Sequence, residues 1–516
     1  LDSNHLIPSD DVDWVDEILC AAVVQSYNLS FTKADKKSNQ LFSLGYYDQQ
    51  GLVKFSDFKR VSGRFNSEYK LFDDHLRIGE NISLSHSWGT SVSNNAALGG
   101  TLYEAYKFQS ITPVKNLEDE YAGNVFSDIP NPMGKLYRNK DNQDKKSRLV
   151  GNLYAELHLF DGLMFKTSFG VDYNNLYRRS FSPKYDELNA SEKLSSLSNR
   201  NAWNFNWVFT NTLTYNKTFG DHTINALLGM ESLRNRYEYF TASRDGFPSD
   251  DPNFRFLDAG DVGTQKNSGA ATEYSMVSYF GKLDYNYHDR YLVAFTLRRD
   301  GSWGNFPAAS VGWRISNEPF FDVEAISNLK VRVGWGQNGN SDVPSYATID
   351  SYKSNSTNSN YPIDGNQSGV DLGLVQTRNG NVNLKWETTT QTNVGVDLGF
   401  LNGDLNLTLD YFNKDTKDLL WRRALPASIG GTNMTVWDNV GKMNNKGFEM
   451  EINYQKQINQ DFGFSVAYNF SVIKNKMTEL NGVDYIGLSS SELHGRNFDQ
   501  ETSRSAVGQP IGSFFV

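Results

Sequence analysis

A single cysteine, Cys20, in 516 residues leaves no internal disulfide to form and no second thiol at metal-ligand spacing. Its plain reading is a small buried or lipid-facing apolar side chain. The seven histidines (His5, His75, His86, His158, His222, His288 and His494) are scattered, and none makes an H-E-x-x-H pair of the kind that holds zinc. No metal or cofactor is expected. An excess of positive charge is also missing, since 50 Lys and Arg face 60 Asp and Glu for a net charge of −10. Phosphate binding rests on clustered cations, so no nucleic-acid partner is expected. No apolar run is longer than about Ile18 to Val24, far short of the roughly 20 residues a spanning helix needs. That excludes a helical membrane protein and leaves a β-barrel open, because barrel strands alternate apolar and polar residues and average out as hydrophilic. The chain begins Leu1-Asp2-Ser3-Asn4, without initiator Met or signal segment, which points to processing or to a partial chain.

Aromatics and glycine are plentiful: 33 Phe, 27 Tyr, 10 Trp and 42 Gly, against 13 Pro. The dominant pattern is alternation of period two, the signature of a strand with one apolar face. Leu405, Leu407, Leu409 and Tyr411 alternate with Asn406, Thr408 and Asp410. Phe448, Met450, Ile452 and Tyr454 do the same, as do Phe464, Val466, Tyr468, Phe470 and Val472. Further runs are Val394/Val396/Leu398/Phe400, Leu329/Val331/Val333/Trp335, Ile224/Ala226/Leu228/Met230 and Leu163/Phe165/Phe169/Val171/Tyr173. Long helical periodicity is absent.

The connections between runs fall into two classes that take turns. Short ones, such as Phe72–His75, Phe160–Gly162, Thr218–Asp221, Tyr287–Arg290 and Leu401–Asp404, mostly carry Gly, Asp or Asn, which tolerate the positive φ of tight turns. Long polar ones include Gly89–Lys145, Ser180–Asn199, Asn235–Thr272, Gln337–Asn381, Asp415–Thr435 and Ile473–Gln509. The fold class expected is all-β: a large antiparallel transmembrane β-barrel with short periplasmic turns and long extracellular loops. About sixteen strands of about ten residues are predicted, with a seventeenth starting near Pro510. Aromatics crowd the short-turn rim (Tyr69, Phe72, Phe219, Tyr285, Tyr291, Phe320, Phe321, Phe400, Phe462, Phe464), as an interfacial girdle would. Alternation alone also suits a soluble sandwich or propeller. Strand length, the alternation of turn lengths and the lack of a blade-length repeat favour the barrel.

Catalytic signals are poor. Gly334-Trp335-Gly336-Gln337-Asn338-Gly339 matches G-x-G-x-x-G, but a dinucleotide site needs a helix to open there, and a loop sequence, Asn340-Ser341-Asp342-Val343-Pro344, follows. Glu449 and Glu451 share a strand face in a geometry that a two-carboxylate hydrolase could use, but a polar lining of a wet interior explains them as well. Candidate substrate-binding residues are the loop aromatics Trp88, Trp303, Tyr361, Trp421 and Trp437, set among hydrogen-bonding side chains, and the lumen-facing Lys330, Arg332, Asp397, Glu449 and Glu451. A girdle or loop-packing role is the competing reading for each ring.

Several segments resemble the SusC/RagA-like family of TonB-dependent outer-membrane transporters. They begin at Asp13-Trp14-Val15-Asp16-Glu17-Ile18 and run through Leu44-Gly45-Tyr46-Tyr47-Asp48-Gln49-Gln50-Gly51, Leu297-Arg298-Arg299-Asp300-Gly301-Ser302 and Phe306-Pro307-Ala308-Ala309-Ser310. The clearest is Asn383-Leu384-Lys385-Trp386-Glu387-Thr388-Thr389-Thr390-Gln391-Thr392-Asn393, followed by Asp410-Tyr411-Phe412-Asn413-Lys414 and Asn444-Asn445-Lys446-Gly447. The resemblance implies a barrel of about 22 strands that imports oligosaccharides or peptides. It implies an N-terminal plug and TonB box coupling to a TonB-ExbB-ExbD complex, a SusD-like surface lipoprotein as lid, and the outer membrane of a Bacteroidetes-like Gram-negative bacterium. On this reading residues 1–516 are one incomplete barrel domain, with plug and TonB box upstream and about six strands absent. One departure is internal: Ser302 runs directly into Trp303, where the family has a longer stretch.

The reading from another class is a secreted all-β carbohydrate-binding protein or glycan-active enzyme; a third is a barrel acting as an adhesin without transport. The barrel predicts that the intact protein leaves cells only in detergent and that its gel migration shifts on heating. Free solubility of the intact protein would overturn it.

Overall fold

The computed structural model describes residues 11–93, 100–301, 304–354, 373–425, 428, 434–482, 484–488 and 503–514. Sixteen strands form one antiparallel sheet in which spatial order follows chain order, from Val24–Ala34 at one edge to Gly463–Leu480 at the other. The alternating runs are the reason. Val333 pairs with Val394, Val394 with Tyr411, Tyr411 with Phe448 and Phe448 with Val472. One apolar row therefore crosses five strands on a single face, and Leu329, Leu398, Leu407, Ile452 and Tyr468 form a parallel row two pleats away. Many of these side chains are open to the surroundings: Tyr411 is 49% exposed, Val472 47% and Tyr468 54%. A soluble sheet would bury that face; a membrane barrel turns it to lipid.

The short connections have the geometry their sequences suggest. Positive φ occurs at Phe72, Asp73 and Asp74, at Gly162, at Gly220, at His288 and Asp289, and at Leu401, Asn402 and Gly403. In the turn before Ser38, the Asp35 carboxylate accepts from the backbone N–H of Lys37 and Ser38, closing the hairpin.

Two expectations need correction. Strands are longer than about ten residues: Ser196–Phe219 and His222–Asp245 have 24 each. About ten residues cross the bilayer. The rest pair beyond that length, where lipid no longer imposes an alternation and a strand face can instead pack on the long connections, as Leu197 does with Phe181 and Phe247. Nor, among the described residues, does a seventeenth strand join the sheet. Ser513–Phe514 pairs with Ser503–Ala506, which pairs with Tyr485–Leu488, in a separate three-stranded sheet. Positive φ at Gly508 and Gly512 turns the chain back there.

The chain divides into two compact units, one of Leu1–Leu159, Phe165–Asn211 and Glu231–Ser275, the other of Phe160–Met164, Thr212–Met230 and Met276–Val516. In the first, the long connection after Leu76–Gly89 carries helices. Short α1 (Trp14–Ile18), capped by Asp13, packs on α2 (Thr101–Lys107) and α3 (Pro132–Asn139). Trp14, Ile18, Ala105, Phe108, Met133 and Leu136 form the core, with Trp14 edge-on to Phe108 at 4.6 Å between ring centroids. The Trp14 indole N–H donates to Gln109 O, and Val12 N–H donates to Ser110 O. In the second unit the small hairpin Leu420–Ala424/Thr435–Asn439 replaces the plain loop expected at Asp415–Thr435.

Trp14→Ala should loosen this module while leaving the strands intact, because removing a buried Trp typically costs about 3–5 kcal/mol. Hydrogen exchange should show protection lost over residues 101–139 and retained in the strands.

Candidate functional site

The face opposite the apolar rows is polar, and in the second unit it is organised around one arginine. Arg332, on Ile326–Asn340, lies in register with Gly395 of Glu387–Phe400, which pairs with Asp410 of Leu405–Lys417. Its Nη2 donates to Asp410 Oδ2 at 2.6 Å, and its Nε to Asp397 Oδ2 at 3.2 Å. To reach Asp410 the guanidinium crosses over Gly395, where a Cβ would lie 2.6 Å from both Arg332 Cζ and Asp410 Oδ1. A strand glycine here is a passage for a side chain. Thr408 donates to Asp397, and Lys330 is the cross-strand partner of Asp397. Beside this network is a concavity of about 550 Å³ lined by Lys282, Asp284, Asn286, Lys330, Arg332 and Asn393.

The structure thus brings Lys330, Arg332 and Asp397 together and adds Asp410. Glu449 and Glu451 lie on the same face, opposite Asp410 and Thr408, but both are exposed and neither lines that concavity. Among the described residues no group of three His, Cys, Asp or Glu is placed to hold a metal ion. The G-x-G-x-x-G segment lies within the strand Ile326–Asn340, so no helix N-terminus is there to take a pyrophosphate. The aromatics do not form one platform. Trp88 ends Leu76–Gly89 on the face of Leu84 and His86, its ring 5.6 Å from the His86 ring, as in a girdle. Trp421 pairs with Asp438 and Arg422 with Trp437, so the two tryptophans point to opposite faces of their hairpin. Trp303 and Tyr361 lie outside the described residues, as does Ser302.

A second ordered group belongs to the long connections of the first unit. Arg138 donates to Glu187 Oε1 at 2.6 Å, and Glu187 Oε2 accepts from the Asn131 N–H at 2.6 Å. The guanidinium stacks 3.8 Å from the Tyr185 ring centroid. Glu187 is 3% exposed, and burial pushes its carboxyl above the usual carboxylate range against the pull of Arg138.

Residues 87–509 match the family model "TonB dependent receptor-like, beta-barrel". The chain belongs to this TonB-dependent receptor family. TonB-dependent receptor P3 of Formosa agariphila is 31% identical over 99% of this chain and 51% of its own length. TonB-dependent receptor SusC of Bacteroides thetaiotaomicron is 28% identical over 98% of the chain and 52% of its own. The receptor thus spans about half the length of the curated relatives it matches. Among solved structures the RagAB peptide transporter superposes with a TM-score of 0.83 at 23% identity, covering 99% of this chain and 56% of that one. The ferripyoverdine receptor of Pseudomonas aeruginosa gives 0.53 at 12% identity over 88% of this chain and 54% of that one. The curated relatives are receptors, not enzymes.

The receptor's clearest sequence motif has a mechanical explanation. Asn381 donates to Trp437 O, Lys385 N–H donates to Asn439 Oδ1, Asn439 returns a bond to Lys385 O, and Glu387 accepts from Leu420 N–H. Asn381 to Glu387 is a clasp that holds the Trp421/Trp437 hairpin. The Trp386 ring packs tilted against Phe306, 5.3 Å between centroids, and a Cβ at Gly339 would collide with both rings. Asp410 is a site residue that its alternation with Leu409 and Tyr411 marks only as polar-facing. Arg138 and Glu187 pair across 49 residues and leave no local signal in the sequence.

Gly395→Val should displace Arg332 from Asp410 and lower stability by about 0.5–1.5 kcal/mol, the usual worth of a hydrogen bond between groups that keep some contact with solvent. The unfolding midpoint in detergent micelles measures this.

Proposed function

We propose that the receptor is the barrel portion of an outer-membrane importer that moves oligosaccharides or peptides inward under TonB-ExbB-ExbD drive. A SusD-like surface lipoprotein covers the outer rim in this reading, and the plug belongs to the rest of the protein. The observation that carries the proposal is the two-faced register: an apolar face suited to lipid, and a polar face on which Arg332, Asp397 and Asp410 hold one another. Family membership supports it, as do relatives named SusC and RagAB. Such a protein does no covalent chemistry. It supplies a shaped, hydrogen-bonding wall past which substrate moves, and Lys330, Arg332 and Asp397 are the residues of that wall we assign to contact. Glu449 and Glu451 extend the same face, and Trp421 and Trp437, on opposite faces of their hairpin, are rings we assign to first capture. A Bacteroidetes outer membrane is the location that fits.

Deleting the gene should abolish accumulation of at least one labelled oligosaccharide or peptide, and deletion of tonB or of a neighbouring lipoprotein gene should reproduce the loss. Arg332→Gln with Asp397→Asn should slow uptake about tenfold with unchanged amounts of heat-modifiable barrel. Surface binding that persists without uptake in wild-type cells would point to an adhesin and overturn the proposal.

A further inference from the structure

The long connections 90–142, 183–195 and 246–265 of the first unit enclose a cleft of about 780 Å³. Its walls carry three tyrosines, Tyr121, Tyr137 and Tyr185. Lys140 Nζ sits 3.6 Å from the Tyr137 ring centroid and Arg138 covers Tyr185, so one face of each of those rings is already taken by a cation of the chain. The charges divide into two sets. Arg138 is pinned by buried Glu187, and Arg255 by Asp141 Oδ2 and the Asp250 carbonyl, so the frame is rigid. Lys140 and Lys184, and the carboxylates of Glu120, Glu192 and Asp250, line the cleft without an ion pair among the described residues.

We propose that this cleft is a binding site for short peptides carrying both signs of charge. The proposal deepens the import reading and rests on it for its place in uptake. A neutral oligosaccharide would cover two lysines and three carboxylates without offering counter-charges, and desolvating unpaired charges is unfavourable. A polyanion would meet the three carboxylates. A peptide supplies an ammonium for Glu120, Glu192 or Asp250, a carboxylate for Lys140 or Lys184, and apolar side chains for the open ring faces. The volume falls within the roughly 300–1,000 Å³ of small-ligand sites.

The test uses the full-length receptor purified in detergent micelles, with three probes: a tryptic casein digest filtered to below about 1 kDa, maltoheptaose, and oligogalacturonate. Mass spectrometry should find retained peptides of about four to seven residues bearing both charges, and calorimetry on one of them, synthesised, gives its affinity. Raising salt from about 50 to about 500 mM should weaken binding about tenfold, since rim charges are screened. Lys184→Ala with Glu192→Gln, both exposed and outside the Arg138 and Arg255 pins, should weaken it by a similar factor. No retained peptide, equal binding of maltoheptaose or oligogalacturonate, or unchanged binding by the double variant would each overturn the proposal. The two readings fail separately. Peptide binding without uptake in cells would sink import and leave the cleft. Peptide uptake unaffected by the double variant, with its binding also unchanged, would sink the cleft and leave import.

Discussion

Cross-strand register is the constraint on which the rest of the molecule depends. In a bilayer every backbone N–H and C=O must find a partner within the protein, and a sheet of paired strands meets that demand only if each strand holds its place along the next. Because side chains alternate with period two, a slip of Ile326–Asn340 by one residue against Glu387–Phe400 would bring Arg332 onto the apolar face beside Val394 and Val396 and drive Val333 onto the polar one beside Asp397. The sheet therefore reads as rows: Val333, Val394, Tyr411, Phe448 and Val472 on one face; Arg332, Gly395, Asp410, Glu449 and Ser471 on the other. Ion pairs and apolar rows enforce the same register, so each supports the other.

Function-bearing features are elaborations of those rows and of their ends. On the polar face a missing side chain is as specific as a present one: Gly395 opens the path by which Arg332 spans two strands and holds two carboxylates at once. Above the rows, long connections are ordered by internal cores and side-chain clasps. Trp14 is the centre of one such core, Asn439 the hub of one clasp, and Glu187 the buried anchor that fixes Arg138 against Tyr185. Each draws together segments far apart in sequence, so ligand-facing groups sit on rigid supports although they lie in connections.

The chain alone determined much of this. Alternation at Leu405–Tyr411 or Phe464–Val472 identifies strands and their apolar faces because period two is a local property, and Gly, Asp and Asn at the short turns declare the positive φ those turns adopt. Family membership was also legible, in motifs such as Asn383 to Asn393. What only the tertiary structure decided is non-local. Strands of 24 residues outrun the length that lipid patterns, since beyond it pairing continues and a face packs on whatever connection covers it, as Leu197 does on Phe181 and Phe247. Trp421 and Trp437, alike in sequence as loop aromatics, part company because hairpin register sends them to opposite faces. Arg332 and Asp410, 78 residues apart, and Arg138 and Glu187, 49 apart, meet only when the sheet and its connections have folded, and nothing near either residue encodes its partner.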